Sequence, residues 1–111
     1  MAELEIKTYP VGMLRTNCYI IHLKDKKEAI VIDPGDDADY LISKLTEDNL
    51  KLKGILLTHG HFDHIHAVAK LKETFRISVY AHEHEKELLE DEEINCSAEF
   101  RRPVILSPDI L

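Results

Sequence analysis

The residues best suited to chemistry form one short stretch, residues 58–66, with the sequence Thr-His-Gly-His-Phe-Asp-His-Ile-His. Four of the seven histidines in the chain fall within it, together with one aspartate. At neutral pH an imidazole is a good ligand for borderline metals, and a carboxylate adds a hard oxygen donor. The composition of this histidine stretch therefore predicts a metal site.

The spacing of these side chains suits two ions. Residues two apart in an extended segment point to the same side, so His59 and His61 can converge on one ion. If a helix starts directly afterwards, Asp63 and His64 lie on its first turn and can face a second ion. The free N–H groups of that turn also favour an anionic ligand. The alternative interpretation is a histidine-rich surface loop that binds metal adventitiously.

The segment before the histidine stretch favours the metal site. Residues 53–58, Lys-Gly-Ile-Leu-Leu-Thr, predict a short buried strand, so the histidines follow its carboxyl end. In open α/β sheets, ligands bind at that edge.

Strands and helices are predicted to position the stretch. Runs of apolar, β-branched and aromatic residues predict further strands at 4–9, 17–23, 28–32 and 77–81, with a hairpin turn at 24–27. Apolar residues at helical spacing predict a helix over 38–48, N-capped by Asp36 or Asp37. A second helix follows the histidines with the stripe Ile65, Val68, Leu71 and Phe75. This order predicts an α/β fold.

The remaining segments carry weaker signals. Residues 83–93 predict an acidic third helix with Leu88 and Leu89 facing inward, and its charges are interpreted as a solvated face. Cys18 is expected to be buried in strand packing, and His22 to face solvent. Pro34 predicts an extended conformation for the residue before it.

Three segments resemble the metallo-β-lactamase fold superfamily. The histidine stretch is similar to its His-x-His-x-Asp-His signature, in wording close to that of the glyoxalase II-like hydrolases. Asn-Cys-Tyr at 17–19 and Asp-Pro-Gly at 33–35 resemble a strand and a turn of these enzymes. The resemblance implies the first half of a four-layer αββα sandwich, with a mixed sheet and helices on one face. Residues 1–111 are then expected to be the N-terminal part of a truncated domain.

The resemblance also implies roles for the site residues. His59 and His61 belong to the first metal site, and Asp63 and His64 to the second. Zn²⁺ is the expected ion, with iron or manganese as alternatives. Asp63 is also expected to hold the attacking water by a hydrogen bond. Asp33 has two interpretations: a supporting carboxylate that orients the imidazoles, or a simple turn residue.

These roles predict a metal-dependent hydrolase in which a zinc-activated water attacks a thioester or similar ester. Two ligands per ion predict weak binding, or ligands from a neighbouring chain. One alternative is an iron-dependent relative of the sulfur dioxygenase type. The other is an inactive half-fold that serves as an interaction fragment.

Composition limits the partners. A formal charge of −7 argues against a general affinity for nucleic acid. Apolar runs are too short to span a bilayer, and two distant cysteines predict reduced thiols in the cytoplasm. The partners expected are a small ester or thioester, and either a second copy or a missing C-terminal half. The last expectation follows because β-strands that are apolar on both faces need a cover on each.

Overall fold

In the part of the chain that the structure describes, five strands form one mixed sheet. A computed structural model describes residues 3–12, 14–58, 65–81 and 89–90. In both chain order and sheet order the strands are β1 (Leu4–Val11), β2 (Thr16–Leu23), β3 (Glu28–Ile32), β4 (Lys51–Leu57) and β5 (Ser78–Ala81). The first three pair antiparallel, and β3, β4 and β5 pair parallel. This topology confirms the predicted mixed α/β sheet.

Two helices within the described ranges cover one face of the sheet. They are α1 (Ala38–Glu47) and α2 (Val68–Phe75). Their buried leucines and valine join the alternate strand residues that point to the same side in one apolar core. Leu89 is buried as predicted, whereas residues 83–88 and 91–93 of the predicted third helix lie outside the described residues. No helix in the described ranges is long and apolar enough to cross a bilayer.

The opposite face of the sheet is apolar and open in the part of the chain that the structure describes. The strand register places Ile32, Leu56 and Tyr80 side by side on it. Its most exposed large side chains, with their exposed fractions, are Leu4 (65%), Ile6 (55%), Ile30 (46%), Leu56 (42%) and Tyr80 (40%). The helices therefore leave this apolar face, defined by these side chains, without a described cover.

Two predicted boundaries are wrong. Strand β1 continues through Pro10 to Val11, because β1 is an edge strand and an edge can accommodate a residue without an N–H donor. Helix α2 begins at Val68 after a turn at 65–67. Asp63 and His64, which were expected on a first helical turn, lie outside the described residues.

The prediction that His22 faces solvent is also wrong, since its exposed fraction is 8%. The alternation of β2 places it on the helix-covered side with Cys18 and Ile20. Its Nδ1 lies 2.8 Å from the carbonyl oxygen of Leu23 and 3.1 Å from that of Lys26. These carbonyls accept the Nδ1 proton, so the imidazole is buried without losing its hydrogen bonds and closes the β2–β3 turn.

Candidate metal centre

Three parallel strands end at one edge of the sheet, as their pairing requires. Asp33 follows β3, Thr58 follows β4 and residue 82 follows β5. The histidine stretch therefore begins at the carboxyl edge of the parallel strands, as predicted.

The four predicted ligands, His59, His61, Asp63 and His64, lie outside the described residues, and their metal-binding roles stay predictions. Within the described ranges, no group of three or more His, Cys, Asp or Glu side chains is placed to hold a metal ion. The part of the site that the structure describes consists of the residues on either side of the predicted ligands.

Asp33 is buried at the edge, with an exposed fraction of 4%. Its carboxylate Oδ1 accepts the Thr58 N–H at 2.8 Å, and Oδ2 accepts the Thr58 hydroxyl proton. The N–H of Asp33 donates to the carbonyl oxygen of Leu56 at 3.1 Å. Asp33 thus fixes the residue directly before the first predicted ligand.

The backbone of Asp33 differs from the prediction. Its φ is 53°, in the left-handed region, whereas the following Pro34 predicts an extended conformation. Aspartate tolerates this region better than most residues, because its short polar side chain bonds to nearby backbone groups. The bonds to Leu56 and Thr58 require the chain to turn sharply out of β3, and they offset the conformational cost.

The same turn also binds the far side of the histidine stretch. The N–H of His66 donates to the carbonyl oxygen of Gly35, and the N–H of Ala67 donates to that of Pro34, each at 3.0 Å. Pro34 and Gly35 are buried. Both flanks of the predicted ligand segment are therefore attached to one three-residue turn.

With this geometry established, comparison with known proteins identifies the family. The family model of the metallo-beta-lactamase superfamily matches residues 11–111. The chain belongs to this superfamily. The predicted metallo-β-lactamase fold is confirmed by solved structures.

Three superfamily proteins illustrate the relationship. The hydroxyacylglutathione hydrolase GloC of Haemophilus influenzae is 41% identical over 88 residues, which are 78% of this chain and 41% of that protein. The crystal structure of BLEG-1, a B3 metallo-beta-lactamase, matches with a TM-score of 0.90 and 42% identity, covering 96% of this chain and 52% of that chain. TTHA1623 in a di-iron-bound form matches with a TM-score of 0.75 and 31% identity, covering 95% and 51%.

This superfamily chain spans about 40% of the length of the curated relatives it matches and about half of the solved chains. The matched part contains the histidine stretch and the Asp-Pro-Gly turn. Because the chain matches only this part of its relatives, an activity of the whole protein can only be proposed.

Cys18 lies beneath the edge and is completely buried, as predicted. Burial raises the pKa of its thiol to about 12, and the negative charge of Asp33 adds to the effect. A thiol of this kind stays protonated at neutral pH and is a poor nucleophile. Cys18 is therefore a packing residue of the apolar core near the carboxyl ends of the parallel strands, and it takes no part in thiolate chemistry.

A second polar region surrounds the start of α1. An open depression of about 470 Å³ is lined by Asp36, Asp37, Asp39 and Lys70, among others. Asp37 occupies the N-cap position, as predicted, but makes no side-chain cap hydrogen bond. Its carboxylate instead accepts the Gly12 N–H at 2.9 Å, so it ties the β1–β2 turn to the helix.

The hydrogen bonds between Asp33 and Thr58 were not predicted from the sequence. A usable signal was present, because Asp33 and Thr58 each follow directly after neighbouring parallel strands. The contacts of His66 and Ala67 use backbone amides, which every residue but proline offers, so no side-chain pattern predicts them.

Proposed function

We propose that this chain is the metal-binding part of a metal-dependent hydrolase, whose activated water attacks a thioester or similar ester. One observation carries the proposal. The His-x-His-x-Asp-His stretch starts at the carboxyl edge of the parallel strands, and both its flanks are bonded to the buried turn at 33–35. A segment anchored in this way differs from a free surface loop that binds metal adventitiously.

The donor set suits zinc, because imidazole nitrogens and carboxylate oxygens are its usual ligands in hydrolytic sites. In the proposal, His59 and His61 bind one ion, and Asp63 and His64 bind a second. When bound, zinc supplies a water of lowered pKa. Asp63 would also hold the attacking water by a hydrogen bond, and Asp33 supports the start of the ligand segment through Thr58.

The ester-type substrate is supported by the relative named as a hydroxyacylglutathione hydrolase, GloC. Two ligands per ion fall short of the three that catalytic zinc normally has. We therefore propose that this chain alone binds metal weakly and hydrolyses substrate weakly or not at all.

Iron is the second candidate ion. TTHA1623, which is 31% identical, is described in a di-iron-bound form. A site that prefers iron in this chain would favour the alternative function, an iron-dependent dioxygenase-type reaction. Identification of the bound metal separates the two.

We also propose that the open apolar face is covered by a second sheet, provided by a C-terminal half of the domain or by another copy of the chain. A face with five large apolar side chains that are 40–65% exposed supports this proposal. The buried, unpaired thiol of Cys18 supports a reducing compartment such as the cytoplasm.

Native mass spectrometry of the 111-residue chain after exposure to zinc and iron tests the metal site. We expect zinc-dependent mass additions in the wild type and the loss of one zinc ion in His61→Ala, since each ion depends on its few ligands. His84→Ala removes a histidine outside the stretch and serves as the matched control. Metal binding that is unchanged in His61→Ala, or absent from the wild type at millimolar zinc, contradicts the proposal.

A further inference from the structure

We infer that the turn at residues 33–35, here called the anchoring turn, sets the separation between the two flanks of the predicted ligand segment 59–64. The amino flank is Thr58, and the carboxyl flank is His66 and Ala67. In this arrangement Thr58 is a positioning residue. The hydrogen-bond pattern of the described residues carries the inference. Only its metal readout rests on the proposed function, since the bonds themselves are independent of any ligand.

At the amino flank, Thr58 makes two bonds to one carboxylate. Its N–H lies 2.8 Å from Oδ1 of Asp33, and its hydroxyl donates to Oδ2. One bond to a carboxylate leaves rotation free, whereas a pair of bonds fixes both position and direction. Because Asp33 is buried, water competes little for these bonds. The direction in which the chain leaves β4 is therefore set by Asp33.

At the carboxyl flank, two consecutive amides bond two consecutive carbonyls. The His66 and Ala67 N–H groups reach the Gly35 and Pro34 oxygens at 3.0 Å. Ala67 is buried and directly precedes α2. The start of α2 is therefore fixed relative to the anchoring turn.

The anchoring turn is itself fixed to the sheet. The N–H of Asp33 donates to the carbonyl oxygen of Leu56 in β4. The pairing of β3 with β4 extends up to the pair Ile32 and Leu56, directly before this bond. A non-glycine residue with φ of 53° persists only where its surroundings determine it. Three residues thus connect β4, the exit from β4 and the start of α2.

This arrangement has a consequence for the residues between the flanks. Metal ligands need positions accurate to about 0.5 Å, and such accuracy comes from the groups that support them. Here the spacing of the flanks is imposed from outside the histidine stretch, by a turn 25 residues before Thr58 in the sequence. Loss of the Thr58 hydroxyl should therefore loosen both flanks, although His66 and Ala67 reach the anchoring turn through other atoms.

Amide hydrogen exchange of the metal-free, full 111-residue chain, measured by NMR, tests the inference. Thr58→Val keeps the shape of the side chain and removes the hydroxyl, whereas Thr58→Ser keeps the hydroxyl. Loss of one buried hydrogen bond is worth about 1 kcal/mol, which is roughly five- to tenfold in a local opening equilibrium. We expect exchange at Thr58, His66 and Ala67 to accelerate about that much in Thr58→Val and to stay within about twofold of wild type in Thr58→Ser.

Thr46→Val is the matched control, because the Thr46 hydroxyl also makes one bond, to the Ile42 carbonyl oxygen at 2.8 Å in α1. It should leave the exchange of His66 and Ala67 unchanged. If Thr58→Val accelerates Thr58 alone, the two flanks are independent and the inference is wrong. Equal acceleration of the amides in β1 and β2 would show global destabilisation, which also overturns it.

Cobalt binding gives a second readout. In a wild type that binds Co²⁺, we expect Thr58→Val to weaken the binding about tenfold and alter the visible absorption of the ion, with rescue by Thr58→Ser. A wild type without cobalt binding contradicts the proposed function, while the exchange rates still decide the inference. Unchanged cobalt affinity with accelerated exchange at both flanks would support the structural coupling and overturn the positioning role of Thr58.

Discussion

At the scale of single residues, burial decides what Cys18 does. The ordinary pKa of a cysteine thiol is 9.0, and removal from water raises the pKa of Cys18 to about 12. The folded state therefore opposes loss of its proton. Above pH 9 the unfolded chain gains stability by losing that proton, so this contribution to folding is fully present below pH 9 and is lost as the pH rises towards 12.

Alkylation of the thiol checks this assignment. In Cys96→Ser, Cys18 is the one remaining cysteine of the two in the sequence. At about pH 8 its thiolate fraction should be about a thousandfold lower than that of a free thiol, so iodoacetamide should react very slowly with the folded protein. The same variant in urea should react at the ordinary rate. Fast reaction of the folded protein would contradict the burial of Cys18.

At the scale of elements, side chains tie the edge strand β1 to helix α1. The Lys7 ammonium lies 2.8 Å from the Asp48 carboxylate at the end of the helix. Near its start, the rings of Tyr9 and Tyr40 meet edge to face with centroids 5.9 Å apart. Because β1 pairs with one strand only among those that the structure describes, these contacts add a second attachment for it.

The Lys7–Asp48 pair predicts two pKa displacements. The hydrogen bond between them lowers the pKa of Asp48 below 3.8 and raises the pKa of Lys7 above 10.5. The Asp48 contribution to stability is therefore fully present above pH 3.8 and is lost as the pH falls through its folded pKa. The Lys7 contribution is fully present below pH 10.5 and is lost as the pH rises through its folded pKa.

An NMR titration of the Asp48 carboxyl group measures the effect. Lys7→Met should raise the pKa of Asp48 towards 3.8, because it removes both the hydrogen bond and the charge. Lys24→Met is the matched control, since Lys24 pairs with Glu3 at 3.6 Å instead. An Asp48 pKa that is the same in wild type and Lys7→Met would show that the pair does not persist in solution.

At the scale of the whole molecule, the sheet has two unlike faces. One is packed under α1 and α2, and the other presents Leu4, Ile6, Ile30, Leu56 and Tyr80 at 40–65% exposure. Monomeric soluble proteins rarely expose apolar patches larger than a few hundred Å². In the part of the chain that the structure describes, this open face is the observation that supports the proposed cover.

Sedimentation velocity tests the proposed cover of this face. We expect the 111-residue chain to self-associate at micromolar concentration, and Ile30→Lys to shift it towards monomer because a charge at the centre of the face opposes its burial. Leu14→Lys adds the same charge at a 53% exposed leucine in the β1–β2 turn and should leave association unchanged. A compact wild-type monomer would contradict the proposal.

Much of this architecture follows from local pattern. β3 matches its predicted range of 28–32, and α1 ends within one residue of the predicted 38–48. Both agree because the apolar repeat of a strand (two residues) or a helix (3.6 residues) involves only residues that are close in the sequence. The metal site was likewise predicted from residue type and spacing within residues 59–64. Those ligand roles stay predictions, while the carboxyl edge that precedes them is confirmed.

By itself, the sequence determined the element types, the mixed sheet, the family resemblance and the burial of Cys18. Only the tertiary structure decided the left-handed turn at Asp33, the burial of His22 and the two-flank attachment through the anchoring turn. These features depend on hydrogen bonds between groups far apart in the chain, or on backbone amides and carbonyls that every residue shares. Local patterns carry no information about such partners, because the bonds form only after packing has brought the strands together.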